Sequence, residues 1–273
     1  MASGPRNAVK MPSVALAGRR AVVLATLVST AAALAGCHTP VDVKKFQGSP
    51  ERLYDVSYRA YQRHRWDDAV AGFEKLTLEL PAHDTLLARS YYYLGVAHEK
   101  KGEPLLAAQS FSRLADAFPD DSLAAPALFA AGRSYEHMWR RPDLDATYGQ
   151  SALSEYQTLL ALYPSSPLKD RTDRRVAHLQ EWFAEKDYKN GLHYYHRKAY
   201  DSAIIYFKDV IKNYPNVPAT RDAYLRLVDS YRAIRYKDDA ADVCNTLRIT
   251  YPQDPGVRER CGTGTANTTA EHP

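Results

Sequence analysis

The chain lacks a hydrophobic run of membrane-spanning length. Its longest uncharged apolar stretch, residues 21–36 (AVVLATLVSTAAALAG), is 16 residues, against the ~20 a helix needs to cross a bilayer. Cysteine is scarce, with Cys37, Cys244 and Cys261 the only three, too few for a zinc site or a disulfide framework. No glycine loop able to cradle a phosphate is present, and no His-Glu-x-x-His pattern. Gly132-Arg133-Ser134 lacks the second glycine of a nucleophile elbow, and Ser134 falls in a helical segment rather than after a strand. These absences argue against an enzyme and imply no cofactor. The formal charge of +4 comes from Arg6, Lys10, Arg19 and Arg20, ahead of Cys37 with no acid among them. The rest is neutral, which leaves no electrostatic case for nucleic acid.

The amino terminus is informative. Residues 1–20 carry only positive charge and residues 21–36 none, the order of an export signal, with Met11 an alternative start. The run closes on Leu34-Ala35-Gly36-Cys37. This resembles the lipobox of bacterial lipoproteins, in which small residues admit the peptidase and the cysteine thiolate accepts diacylglycerol. The resemblance implies a signal peptide over 1–36, lipid on Cys37, and a tether over 37–49. At about 0.8 kcal/mol per buried methylene, several acyl chains anchor a protein stably where one does not. His38 rather than Asp after the cysteine implies sorting to the outer membrane, on its periplasmic face. In that oxidising compartment Cys244 and Cys261 could pair. The reading preferred from position alone is a buried core Cys244 and a free thiol at Cys261 in a Gly/Thr-rich tail.

Internal repetition decides the fold. Five times an alanine is followed four residues later by a bulky residue or cysteine, and eight later again by proline. The triplets are Ala69/Phe73/Pro81, Ala107/Phe111/Pro119, Ala152/Tyr156/Pro164, Ala203/Phe207/Pro215 and Ala240/Cys244/Pro252. Positions four apart share a helix face, and proline ends a helix. Twelve residues before the alanine stand Gly95 and Gly191, with Ser57 and Val228 as weaker equivalents; Gly132 stands 20 before. Repeat three therefore carries about eight extra residues, around Arg141–Asp145. The pattern resembles the tetratricopeptide repeat, a helix–turn–helix unit. It predicts an all-α, right-handed α-solenoid of about five such repeats and ten helices, over residues 50–255. Leu168–Ala184 should lengthen the first helix of repeat four. Ser49-Pro50 and Ser166-Pro167 read as helix starts. Residues 256–273 show no apolar periodicity and are expected to be a disordered tail.

Other constellations have plainer readings. Most of the 20 tyrosines fall at repeat positions, where rings pack and hydroxyls reach the rim. His193 and His196 share a helix face without a third ligand, so no metal site is implied. Asp67-Asp68 and Asp238-Asp239 complement helix dipoles. The mixed cluster Lys169–Arg175 reads as a solvated helix face.

Most of the chain after Cys37, most densely residues 141–218, resembles the BamD family, a lipoprotein of the outer-membrane β-barrel assembly machinery. It has the acidic insertion Asp143–Thr147 before Ala152 and Tyr156, then Tyr163-Pro164-Ser165-Ser166. A long helix with Arg174, Arg175 and Leu179 follows. The family's Tyr-x-x-Arg-Gly-Ala-aromatic turn is matched by Tyr194-Tyr195-His196-Arg197-Lys198-Ala199-Tyr200, with Lys198 in place of glycine. The resemblance implies that Arg197, Tyr194 and Tyr200 contact a periplasmic domain of the barrel-forming subunit, and that the N-terminal repeats receive unfolded outer-membrane proteins. The alternative is a periplasmic repeat scaffold that coordinates Tol–Pal or peptidoglycan proteins. That type usually carries an N-terminal coiled coil, absent here, and lacks the insertion.

Overall fold

The computed structural model describes residues 46–262. The signal segment, Cys37 and residues 263–273 lie outside them. The described chain is helical throughout, with no strand among these residues. Eleven helices follow in order: α1 (Pro50–Gln62), α2 (Trp66–Glu79), α3 (Thr85–Lys101), α4 (Pro104–Ala117), α5 (Ala124–Met138), α6 (Thr147–Leu162), α7 (Lys169–His196), α8 (Tyr200–Asn213), α9 (Pro218–Ala233), α10 (Lys237–Thr250) and α11 (Pro255–Cys261). Each packs on the helices before and after it, while α1 also touches α3, α7 touches α9, and α9 touches α11. This is an α-solenoid of tetratricopeptide-like hairpins, α1–α2 through α9–α10. Its interior is a chain of local cores with no shared centre.

The repeat spacing has a direct packing cause. All five repeat alanines are buried, as are Phe73, Phe111, Tyr156, Phe207 and Cys244. The residue facing each of the central aromatics is glycine. A methyl added at Gly95 would stand 2.7 Å from the Phe111 ring, one at Gly132 2.5 Å from Tyr156, and one at Gly191 2.5 Å from Phe207. The aromatic ring lies against bare backbone of the opposite helix. Repeat five inverts the sizes, with Val228 and Cys244 in the same positions and the same core. The prolines act as expected. In every second helix the residue before proline leaves helical geometry, with ψ between 59° and 140°, while its N–H still bonds the carbonyl four residues back. A residue before proline is sterically pushed out of the α region.

Repeat three departs as its length requires. Residues 139–146 form the insertion between α5 and α6, and Trp139 turns inward to full burial. Its ring meets Trp182 at 5.4 Å and Phe183 at 4.6 Å between centroids, and it covers Gly149, where a methyl would stand 2.1 Å from it. The indole N–H has no protein acceptor among the described residues. That omission costs on the order of 1–3 kcal/mol, offset by burial of the largest side chain in this core. The following helix α7 runs 28 residues without a break, so the Leu168–Ala184 segment is continuous with the first helix of repeat four. Arg175 reaches back to Glu136 at 3.0 Å, and the Tyr156 hydroxyl donates to the same carboxylate at 2.9 Å. Burial and this carboxylate hold the Tyr156 phenol well above its ordinary range. The Lys169–Arg175 cluster is thus solvated only in part, since Arg171 also lies over the Phe129 ring.

Four expectations need correction. Ser166-Pro167 does not open a helix: the Ser166 hydroxyl accepts from the Leu168 N–H in a turn, and α7 begins at Lys169. Cys261 is not a free thiol, because it is bonded to Cys244 in a disulfide with Cα atoms 5.3 Å apart. Residues 256–261 are not disordered but belong to α11. Asp254 caps that helix, accepting from the Gly256 and Val257 N–H groups, and Pro255 occupies its first turn. Val257 and Cys261, four apart, then face the core of repeat five. The Asp-Pro start and this single apolar pair were the available signal, too short to register as periodicity. At the other end Phe46, expected within the tether, packs on the first core, and Lys75 donates to its carbonyl at 2.8 Å.

Two tests follow from this packing. Glycine-to-alanine changes inside helices normally stabilise by about 1 kcal/mol. Gly132→Ala and Gly191→Ala should instead destabilise by about 1–3 kcal/mol through overpacking against a fixed ring, read from urea midpoints. The Arg221 guanidinium, bonded to Asp254 at 2.8 and 2.7 Å, pulls that carboxyl down to about 2, below its unfolded value near 3.9. Its contribution is therefore present above about pH 4 and is lost as pH falls toward 2. Asp254→Asn should flatten this acid limb of the urea midpoint against pH; an unchanged limb would exclude Asp254 as its source.

Candidate docking site

The turn between α7 and α8 closes with a paired hydrogen-bond motif. The Lys198 N–H donates to the Tyr195 carbonyl at 2.9 Å and the Ala199 N–H to the Tyr194 carbonyl at 3.0 Å. These are the two bonds of a Schellman ending, which requires a left-handed residue after the cap. Lys198 supplies it at φ 62°. Equivalent turns use His64 at 58°, Gly102 at 77° and Arg235 at 65°, so only repeat two has the residue best suited to this geometry. Replacement of glycine by lysine therefore leaves the turn intact.

Arg197 is the cap residue ahead of it, with φ −81° and ψ 0°. It projects exposed from the turn, with Lys198 exposed beside it. The aromatic residues divide around them. Tyr194 stacks on Tyr206 of α8, centroids 5.3 Å apart and planes within 12°. Tyr200 meets Tyr195 edge-on at 5.6 Å, and the Arg226 guanidinium lies 5.3 Å over the Tyr195 ring. Of the three contact residues expected from sequence, Arg197 and the half-buried Tyr194 and Tyr200 all belong to this corner. The structure adds Tyr195, Tyr206 and Arg226. Sequence pattern had no means of finding Arg226, which comes from the next repeat. The surface is a cationic tip on an aromatic base, whose charge complements an acidic group. His193 and His196 lie on the same last turn, both exposed, and no cluster of three potential metal ligands occurs among the described residues.

A second aromatic surface occupies repeats one and two. Tyr58, Tyr61 and Tyr93 form a triangle with centroids 4.9 to 5.9 Å apart, extended by Trp66 against Tyr61 and His64 against Trp66. The three tyrosines are half-buried. Burial, with the hydrogen bond its hydroxyl donates to Tyr58, raises the Tyr93 phenol well beyond its ordinary value.

A family model described as "YfiO: Outer membrane lipoprotein" matches residues 46–247. The chain belongs to the BamD family. A Xylella fastidiosa (strain Temecula1) protein named outer membrane protein assembly factor BamD is 24% identical over 253 residues, covering 86% of this chain and 84% of its own. A Caulobacter vibrioides BamD is also 24% identical, over 240 residues, covering 87% and 78%. Among solved structures, a tetratricopeptide-repeat protein of Thermus thermophilus aligns over 79% of this chain and 98% of its own, at 19% identity and a TM-score of 0.34. The repeat assignment rests on the chain's own helices and their packing. The family-model match ends at residue 247, before the disulfide-bonded α11. No described helix is long and apolar enough to cross a membrane.

The left-handed lysine supplies a test. A β-carbon in that region costs roughly 1–2 kcal/mol, against about half that for the extra unfolded freedom of glycine. Lys198→Gly should raise stability by about 0.5–1 kcal/mol in urea unfolding. A loss would mean that the Lys198 side chain makes contacts that outweigh its backbone cost.

Proposed function

We propose that this chain is a lipid-anchored scaffold subunit of the machinery that assembles β-barrel proteins into the outer membrane. Membership of the BamD family and the assembly-factor names of its relatives support the setting. In this reading residues 1–36 are removed on export, acyl chains on Cys37 hold the protein at the periplasmic face of the outer membrane, and residues 37–45 form the tether. The repeats bind other proteins and perform no chemistry.

The observation that carries the reading is the α7–α8 turn, where left-handed geometry persists despite the loss of glycine and offers Arg197 to solvent. Arg197 pairs with a carboxylate on a periplasmic domain of the barrel-forming subunit, while Tyr194 and Tyr200 contribute apolar contact beside it. Unfolded outer-membrane proteins meet the aromatic surface of repeats one and two, where half-buried tyrosines give contact area at small entropic cost.

Two measurements test this. Affinity purification of the lipidated protein from gently solubilised outer membranes should recover a large β-barrel protein with periplasmic repeat domains in stoichiometric amount. Recovery of Tol–Pal or peptidoglycan proteins in its place would sink the proposal. Arg197→Glu should weaken docking by about 2–5 kcal/mol if the charge is desolvated in the interface, whereas Cys37→Ala should move the protein out of the membrane fraction without changing docking in solution.

A further inference from the structure

We infer that the disulfide-held helix α11 positions the α7–α8 turn, so that the docking corner keeps its shape only while Cys244 and Cys261 are joined. The inference rests on the docking role proposed for Arg197, but its structural part stands apart from that role.

At seven residues, α11 is far shorter than a helix that holds itself together. Its place depends on the disulfide to α10, the Asp254–Arg221 pair to α9, hydrogen bonds that the Arg260 and Cys261 carbonyls accept from Arg232 and Arg248, and the Arg260 side chain. The last tie leads outward. Arg260 Nε donates to both oxygens of Asp229 on α9 at 3.2 and 3.1 Å. Asp229 also faces Arg226, one helical turn earlier, at 3.6 Å. Arg226 lies over the Tyr195 ring. The Tyr195 carbonyl in turn closes the left-handed turn through the Lys198 N–H, and its ring supports Tyr200. One carboxylate is thus shared by two guanidinium groups, one from the terminal helix and one seated on the docking corner.

The ties are half-buried, with 20 to 33% of each side chain exposed, so water does not fully screen them. Without α11, Asp229 keeps a single cation and more solvent, and Arg226 is freer to leave the ring. Helix α11 thus supplies the sixth first-helix position of the array, and Arg226, Asp229 and Arg260 are positioning residues.

Opening the clasp is a two-electron step. A dithiol reductant attacks one sulfur through a thiolate, a mixed disulfide forms, and its second thiolate closes the reductant's own disulfide. Cys244 and Cys261 leave as two thiols, each having gained a proton.

Hydrogen–deuterium exchange of the full-length protein tests this, comparing the oxidised form, the dithiothreitol-reduced form and Arg260→Ala with its disulfide intact. Reduction should speed exchange in α11 roughly tenfold or more. The amides of Lys198 and Ala199 should quicken about threefold to tenfold both on reduction and in Arg260→Ala, while α2 to α5 stay unchanged. Faster exchange confined to α11, or a uniform rise along the chain, would overturn the inference. Binding of the barrel-forming subunit's periplasmic domain is read in parallel. If the turn loosens while affinity is unmoved, the docking role of Arg197 fails and the positioning by α11 remains.

Discussion

The packing of a ring against bare backbone sets the architecture. In the three central repeats the first helix offers glycine and the second offers phenylalanine or tyrosine four residues after an alanine. The pair fixes how close the helices come and where along their length they meet. Once that contact is set, the proline that ends the second helix comes at a fixed distance, and the next hairpin starts from the same geometry. Repeat five keeps the constraint with its terms exchanged, valine opposite cysteine. The total volume at the contact is conserved more closely than the identity of either residue, as expected where cores tolerate exchange at constant volume.

Because this constraint is local, it was legible in the sequence. Alanine, aromatic and proline lie within one helix and its end, and their spacing predicted the hairpins with ten helices in the right places. The insertion before Ala152 and the extension before Gly191 were likewise visible as excess length. Whatever joins one repeat to another was not. Trp139 lies outside the repeat spacing, which gives it no role, yet it fills the core between α6 and α7. Nothing in the spacing marks Arg226, yet it sits on Tyr195 of the same array one helix pair earlier. Helix α11 escaped because its apolar content is a single pair, Val257 and Cys261, and it is held by a covalent bond, ion pairs and hydrogen bonds from distant positions.

The docking corner shows the same division. Arg197 with its flanking tyrosines came from a family pattern in consecutive residues, and the geometry of the turn agrees with that pattern despite Lys198. The left-handed residues at three other turns, His64, Gly102 and Arg235, show that the requirement belongs to the hairpin rather than to docking. Repeat three, whose insertion replaces the tight turn, has no such residue, and in repeat four the turn carries Arg197 and Lys198 above Tyr194, Tyr195 and Tyr200.

The length of α7 has a mechanical consequence. At 1.5 Å per residue its 28 residues span about 42 Å, with Trp182 and Phe183 clamped on Trp139 near the middle and Arg197 just beyond the far end. A continuous helix is a lever arm. A tilt of ~5° about that clamp, acting over the roughly 21 Å to the tip, would carry it about 2 Å, enough to break a hydrogen bond. The accuracy with which Arg197 is aimed is therefore set partly by how tightly an indole is seated four turns away. The insertion in repeat three acts as the mounting of a pointer whose tip lies in the next repeat.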